Sequence, residues 1–196
     1  MSSSHPDAVG GVCDAVAAVL LDPPPQALDS PTPCSGFDLR ALVEHFVGTS
    51  GALARLGLDR PLDPDDPWGG GAGSAEGDWA ALLRGNLADL ARGWGRPEAW
   101  SGEAQVGGSR LPRAMLGEMA LVEVAAHGWD VARALGRTLE LPPPAAERVE
   151  QAVAATAVLG RQMGAYGPEM EVPADAPALD RALAQAGRDP RWSPAG

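Results

Sequence analysis

Residues 115–131 read Met-Leu-Gly-Glu-Met-Ala-Leu-Val-Glu-Val-Ala-Ala-His-Gly-Trp-Asp-Val. Apolar side chains recur here at helical spacing, and Met115, Leu116, Met119, Val122 and Ala126 define an inward stripe. At 100° per residue, Glu123, His127 and Asp130 fall inside that stripe. A carboxylate taken out of water without a partner costs several kcal/mol, so this helix needs something to offset the cost. A divalent metal is one candidate. The chain has three histidines, His5, His45 and His127, and His45 lies in a second helical pattern, so a ligand from another helix is at hand.

Working outward, helical periodicity dominates and Pro/Gly punctuation separates the pieces. A first helix is expected over about 7–21, ended by Pro23-Pro24-Pro25. Asp38 can cap a second, over about 39–56, with Leu39, Leu42, Val43, Phe46 and Leu53 as its stripe and His45 at the stripe's edge. Residues 58–73 form a Pro/Asp/Gly-rich loop, long enough for a bundle connection to be mobile or to cover a site. A third helix spans about 74–94, with Trp79, Leu82, Leu83, Leu87 and Leu90 facing the core. The stretch 100–112 contains Gly107-Gly108 and can hold a hairpin-like excursion. The fourth helix runs over about 113–135 with Gly136 as its stop, and the fifth follows Pro142-Pro143-Pro144 to about 163. A proline-rich tail from Gly164 wraps the bundle and carries a short helix at 179–186. The expected architecture is all-α: one domain over 1–196, an antiparallel four-helix bundle (about 7–163) with an appended helix and an irregular tail (164–196).

Composition narrows the function classes. A chain of 196 residues with 45 % hydrophobic residues can bury a sizeable core. The net charge of −11 and a pI near 4.6 argue against nucleic acid or an anionic membrane as main partner. All 15 basic residues are Arg, which reads as coding bias and carries no function. Two cysteines without a CxxC suggest neither a disulfide scaffold nor a zinc ribbon. There is no secretory signal and no apolar span, so a cytoplasmic protein is expected.

Glu123 and His127 are one turn apart and can share a metal ion, and His45 completes a His-Glu-His set. Three protein ligands leave a position for water or substrate, as catalytic zinc sites do. Nitrogen and oxygen donors suit Zn, with Ni, Fe, Mn or Co as alternatives. The competing reading is an ordinary helix-surface pair, because E-x3-H alone is weak. Asp130 can accept a hydrogen bond from the second ring nitrogen of His127; it can equally pair with Arg133 or Arg137. Trp129 reads as packing, Cys13 as core, and Cys34 as a small buried cysteine rather than a nucleophile. His5 sits in a terminus expected to fray and is assigned no role. Gly69-Gly70-Gly71 lacks the strand and Lys of a phosphate loop, and no G-x-S-x-G elbow occurs.

Two stretches resemble a known family. Thr-Pro-Cys-Ser-Gly-Phe-Asp-Leu-Arg-Ala-Leu-Val-Glu-His (32–45) and Glu-Val-Ala-Ala-His-Gly-Trp-Asp-Val-Ala-Arg-Ala-Leu-Gly (123–136) are similar to the two signatures of the DinB/YfiT-like superfamily. Within it, the match is nearest to the N-terminal domain of mycothiol-dependent maleylpyruvate isomerase. Residues 166–181 resemble the tail of a metal-binding subgroup of unassigned activity. The resemblance implies a four-helix bundle with a divalent metal, typically zinc, on His45, Glu123 and His127. Many DinB relatives have His where Glu123 stands, which favours the isomerase-like branch. It further implies a low-molecular-weight thiol such as mycothiol, whose pKa the metal would lower for addition–elimination or displacement on a small electrophile. The isomerase has an additional C-terminal domain, and this chain is expected to lack it.

The expected function is therefore a zinc-dependent, thiol-using isomerase or S-transferase acting on a small-molecule substrate. A metal-binding module without turnover and a metal-free bundle holding a small apolar ligand are the rivals. The acidic loop Asp63–Asp66 is a weak alternative metal site. A homodimer is compatible with a bundle of this size.

Overall fold

A computed structural model describes residues 5–24, 27–69 and 72–194. Among the described residues six α-helices dominate: α1 (His5–Val19), α2 (Leu39–Gly57), α3 (Trp79–Trp94), α4 (Arg113–Ala134), α5 (Pro143–Gln162) and α6 (Ala178–Gln185). Short 3₁₀ turns lie at Ala27–Asp29 and Pro97–Trp100. The excursion expected in 100–112 is a hairpin in which β1 (Glu103–Val106) pairs antiparallel with β2 (Ser109–Pro112), Val106 opposite Ser109. Its two-residue turn is Gly107-Gly108, and Gly107 takes a φ of 54° that suits glycine.

Helix limits follow local chemistry. Asp38 accepts from the Ala41 N–H at 2.8 Å and starts α2. Asp78 does the same for Ala81, so α3 begins at Trp79 and not at the expected residue 74. Leu82, expected in the core, is 53 % exposed on the outer face of α3. Pro143 occupies the first turn of α5, where its missing N–H costs nothing. α1 starts at His5 rather than about Asp7 and ends at Val19; Pro25, in the expected stop signal, lies outside the described residues. His5 is not frayed: its ring meets Trp100 edge-on at 4.9 Å and its Nε2 lies 3.2 Å from Glu118.

α1, α3, α2 and α4 close a ring in that order, α1 packing on α3, α3 on α2, α2 on α4 and α4 back on α1. α5 leans on α1 and α4, and α6 on α5. α2 and α3 approach most closely at Gly57 and Gly93, where a Cβ on Gly93 would stand 2.8 Å from the Gly57 carbonyl carbon. The Trp94 indole fills the space beside Gly57 and donates to the Leu53 carbonyl at 2.9 Å. Because α1, α2 and α5 surround α4, that helix is buried on all sides from Ala120 to Ala132 apart from Glu123. Leu121, Val124 and Val131 are as buried as Val122, while Met115 and Met119 are only half-buried. The single inward stripe is thus replaced by a central helix with apolar side chains all round. Among the described residues, no helix is long and apolar enough to cross a membrane.

Candidate functional site

α2 and α4 lie side by side and carry His45 and Glu123/His127 to one place. His45 Nε2 is 3.2 Å from Glu123 Oε1, and His127 Nε2 is 3.6 Å from the same oxygen. Ligand atoms of the three residues lie within 4.8 Å of one another. The imidazoles meet edge to face with centroids 5.0 Å apart. Thr49, one turn after His45, places its hydroxyl 2.7 Å from Glu123 Oε1 and 2.8 Å from the His45 carbonyl. Phe37 stacks on the outer side of His45 at 5.6 Å.

Behind His127 stands a fully buried ion pair. His127 Nδ1 is 3.0 Å from Asp130 Oδ2. Asp130 pairs with neither Arg133 nor Arg137, the partners its own helix offers. Arg133 Nε donates to the Trp192 carbonyl at 2.8 Å, and Arg137 Nη1 to the Val19 carbonyl at 2.6 Å. Arg188 takes the place of both, with Nε 3.2 Å from each carboxylate oxygen and Nη2 3.0 Å from Oδ2. Asp130 is 0 % exposed and the Arg188 side chain 8 %. A carboxylate that only accepts fixes the proton on Nδ1 of the neutral ring and leaves the Nε2 lone pair toward Glu123 and His45.

These contacts set the charges. Burial pushes the Glu123 carboxyl up, but His127, His45 and Thr49 together outweigh it and hold it down at about 2. The hydrogen bond to Glu123 raises His45 against the opposing effect of burial. Burial, helped by Asp130, pushes the Cys34 thiol up to about 11 despite the nearby Arg188, so Cys34 is a neutral thiol at pH 7. Cys34, His127 and Asp130 also bring donor atoms within 4.8 Å. A cation among them would face the Arg188 guanidinium, whose Nη2 is 3.9 Å from Cys34 Sγ, which favours the other cluster. Cys13 is core, and Trp129 is buried with the Arg133 guanidinium 5.9 Å from its ring centroid.

The three-residue cluster opens on a cavity of about 450 Å³. Its walls come from the loop before α2 (Pro33, Cys34, Phe37), from α4 (Val122, Ala126) and from two tail segments, 164–167 and 186–188. The loop expected either to be mobile or to cover a site does not line this cavity: its residues 61–64, 66, 67 and 69 line a separate groove with Gly48, Gly51 and Arg55 of α2. Gly70 and Gly71 of its glycine run lie outside the described residues. Asp63–Asp66 belongs to that groove, and no donor cluster is found there among the described residues. Sequence reasoning missed Arg188, Thr49 and Phe37. Thr49 carried a readable signal, its i+4 spacing from His45; Arg188 carried none, being 58 residues from Asp130.

Residues 9–132 match the model of the mycothiol maleylpyruvate isomerase N-terminal domain. The chain is 30 % identical over 185 residues to Rv0738 of Mycobacterium tuberculosis (strain H37Rv), an uncharacterized protein. The same identity holds for MT0763, an uncharacterized protein of strain CDC 1551, and 91 % of this chain and 94 % of the relative are covered in both. Among solved structures, mycothiol-dependent maleylpyruvate isomerase shares the fold with a TM-score of 0.57 at 17 % identity, over 80 % of this chain and 71 % of that one. A matched segment that runs from α1 through α2 and α3 to Ala132 of α4, past Glu123, His127 and Asp130, makes this chain a member of the mycothiol maleylpyruvate isomerase N-terminal domain family.

Proposed function

We propose that this protein binds a divalent metal, zinc above all, through His45, Glu123 and His127, and uses it with a low-molecular-weight thiol of the mycothiol type as an isomerase or S-transferase on a small electrophile. The observation that carries the reading is convergence: three donor atoms from two helices within 4.8 Å, facing an open cavity, with no fourth donor grouped with them among the described residues. The donor set fits the ion chemically, two imidazole nitrogens and one carboxylate held ionised. When bound, the ion supplies Lewis acidity that lowers a thiol's pKa, and the thiol supplies a nucleophile that adds to an activated alkene and leaves again, or displaces a leaving group.

The chain's own residues prepare that chemistry. Asp130 holds the Nδ1 proton of His127, so Nε2 stays a lone-pair donor. Arg188 keeps Asp130 in place and balances its charge. Thr49 orients Glu123, and Phe37 limits rotation of His45 by stacking on it. Val122, Ala126 and Pro33 give the cavity apolar wall from which water is readily displaced.

Metal analysis of protein purified without a His-tag tests the site. About one equivalent is expected in wild type and loss of it in His127→Ala; undiminished metal in that variant would sink the proposal. One observation favours a second reading, a metal-free bundle that holds a small apolar ligand. Glu123 is already satisfied by Thr49 and His45. On that reading thermal stability is the same with and without chelator.

A further inference from the structure

We propose that Phe37 is a platform at the mouth of the cavity for the sugar part of a mycothiol-type thiol, and that only the cysteinyl arm of that thiol enters. This rests on the thiol reading above and says where the bulk of the thiol lies.

Size is the first reason. The cavity of about 450 Å³ has room for roughly fifteen groups the size of a water molecule. Thiol and electrophile must share that room when they react. A cysteine carried on a pair of six-membered rings would fill it and leave none for the electrophile. Its rings therefore stay outside the walls.

The mouth is the second reason. Of the residues in the cavity wall, Ser35, Phe37, Gly164 and Ala165 are exposed and mark the rim. Phe37, at 36 %, is the one exposed Phe, Tyr or Trp among the described residues. A single exposed apolar residue is common and means nothing by itself. Phe37 differs in being held. Its N–H donates to the Cys34 carbonyl at 3.1 Å and closes a turn in which Gly36 takes a φ of 94°. The buried Thr32 places its hydroxyl 2.8 Å from the Phe37 carbonyl and 3.2 Å from that of Cys34. One face of the ring stacks on His45, with centroids 5.6 Å apart and planes 25° from parallel, so the exposure falls to the other face.

An aromatic face held ready in this way asks little ordering of a ligand. The C–H face of a sugar ring is its apolar counterpart, with the hydroxyls projecting at the edge. Donors for those hydroxyls stand in the same turn. The Cys34 and Ser35 N–H groups and the Ser35 hydroxyl donate to no protein acceptor among the described residues. Because the platform touches His45 itself, a thiol lying on it has its cysteinyl arm beside the ion that His45, Glu123 and His127 would hold.

A comparison of a large and a small thiol on the full chain tests this. Cobalt(II) stands in for zinc, and a sulfur-to-cobalt charge-transfer band reports bound thiol. Mycothiol is expected to bind about 3- to 10-fold more tightly than N-acetylcysteine. Phe37→Leu should remove most of that margin and leave N-acetylcysteine unchanged, and Phe37→Trp should keep it. Equal affinities in wild type, a margin that survives Phe37→Leu, or an equal loss for both thiols would each overturn the inference while leaving the thiol reading in place. Bound cobalt without a thiol band for either compound removes the thiol reading and the platform together. If cobalt does not bind, the metal reading fails and the platform is read without an ion, by saturation-transfer NMR of S-methyl mycothiol. Its ring protons should receive saturation from wild type and not from Phe37→Leu; equal transfer from both proteins would overturn the platform.

Discussion

At the scale of single residues, the line His127–Asp130–Arg188 shows how a buried carboxylate is tolerated. Asp130 is 0 % exposed, and its charge is balanced by one guanidinium from the distant tail. Removing that partner by Arg188→Met leaves an unpaired buried charge, with an expected loss of about 3–5 kcal/mol in chemical denaturation. Asp130→Asn keeps the shape but can present an amide donor to His127 Nδ1. Zinc affinity is expected to fall by about 10–100-fold in a competition titration with a chromophoric chelator, with the helical circular dichroism unchanged. An unchanged affinity would mean that His127 needs no help in choosing its tautomer. Glu123 and His127 were legible in sequence because their relation is local, one turn of one helix. The Asp130 partner was not, because the helix offers Arg133 and Arg137 at suitable spacing, and only the fold shows both capping distant carbonyls.

Elements are placed by what their side chains leave out as much as by what they bury. α2 and α3 touch through Gly57 and Gly93, and a methyl on Gly93 would meet backbone that cannot swing aside. Gly93→Ala is expected to destabilise by about 1–3 kcal/mol in urea unfolding, whereas Gly85→Ala, in open space on the same helix, should not destabilise. The tail uses the same device. Gly187 has a φ of 83° and its Cα–H face lies against Gly167, where a Cβ would come within 2.5 Å of the Gly167 Cα. That contact holds the two tail segments together as one wall of the cavity. Gly187→Ala should therefore loosen the wall and the neighbouring Arg188, with weaker zinc binding as well as a lower Tm. The expected boundaries of α2, α4 and α5 lie within a residue or two of those found, because caps and prolines are local signals. α3 begins five residues later than expected, because Gly77 takes a φ of 131° that no helix can contain and Asp78 caps the turn that follows it.

For the whole molecule, metal and pH should act together. In metal-free protein His45 gains from Glu123, so its pKa is raised on folding. That contribution is complete below the unfolded pKa of a histidine and fades as pH rises through the higher folded value. Zinc reverses the sign, since it needs His45 deprotonated and its binding releases that proton. Melting curves between about pH 6 and 8 should therefore show stability rising with pH when zinc is present at fixed excess, and not when chelator is present. Parallel curves would remove His45 from the metal site. Read as a sequence alone, this chain determined an all-α bundle, the order of its helices and the pairing of Glu123 with His127, because periodicity, capping and i,i+4 spacing are short-range properties of the chain. Tertiary structure alone decided that α4 is buried all round, that His45 and Thr49 meet Glu123, and that the tail supplies Arg188 and one wall of the cavity. Those depend on which helices become neighbours, a matter of packed volumes and close backbone approach summed over the whole core rather than of any one stretch of residues.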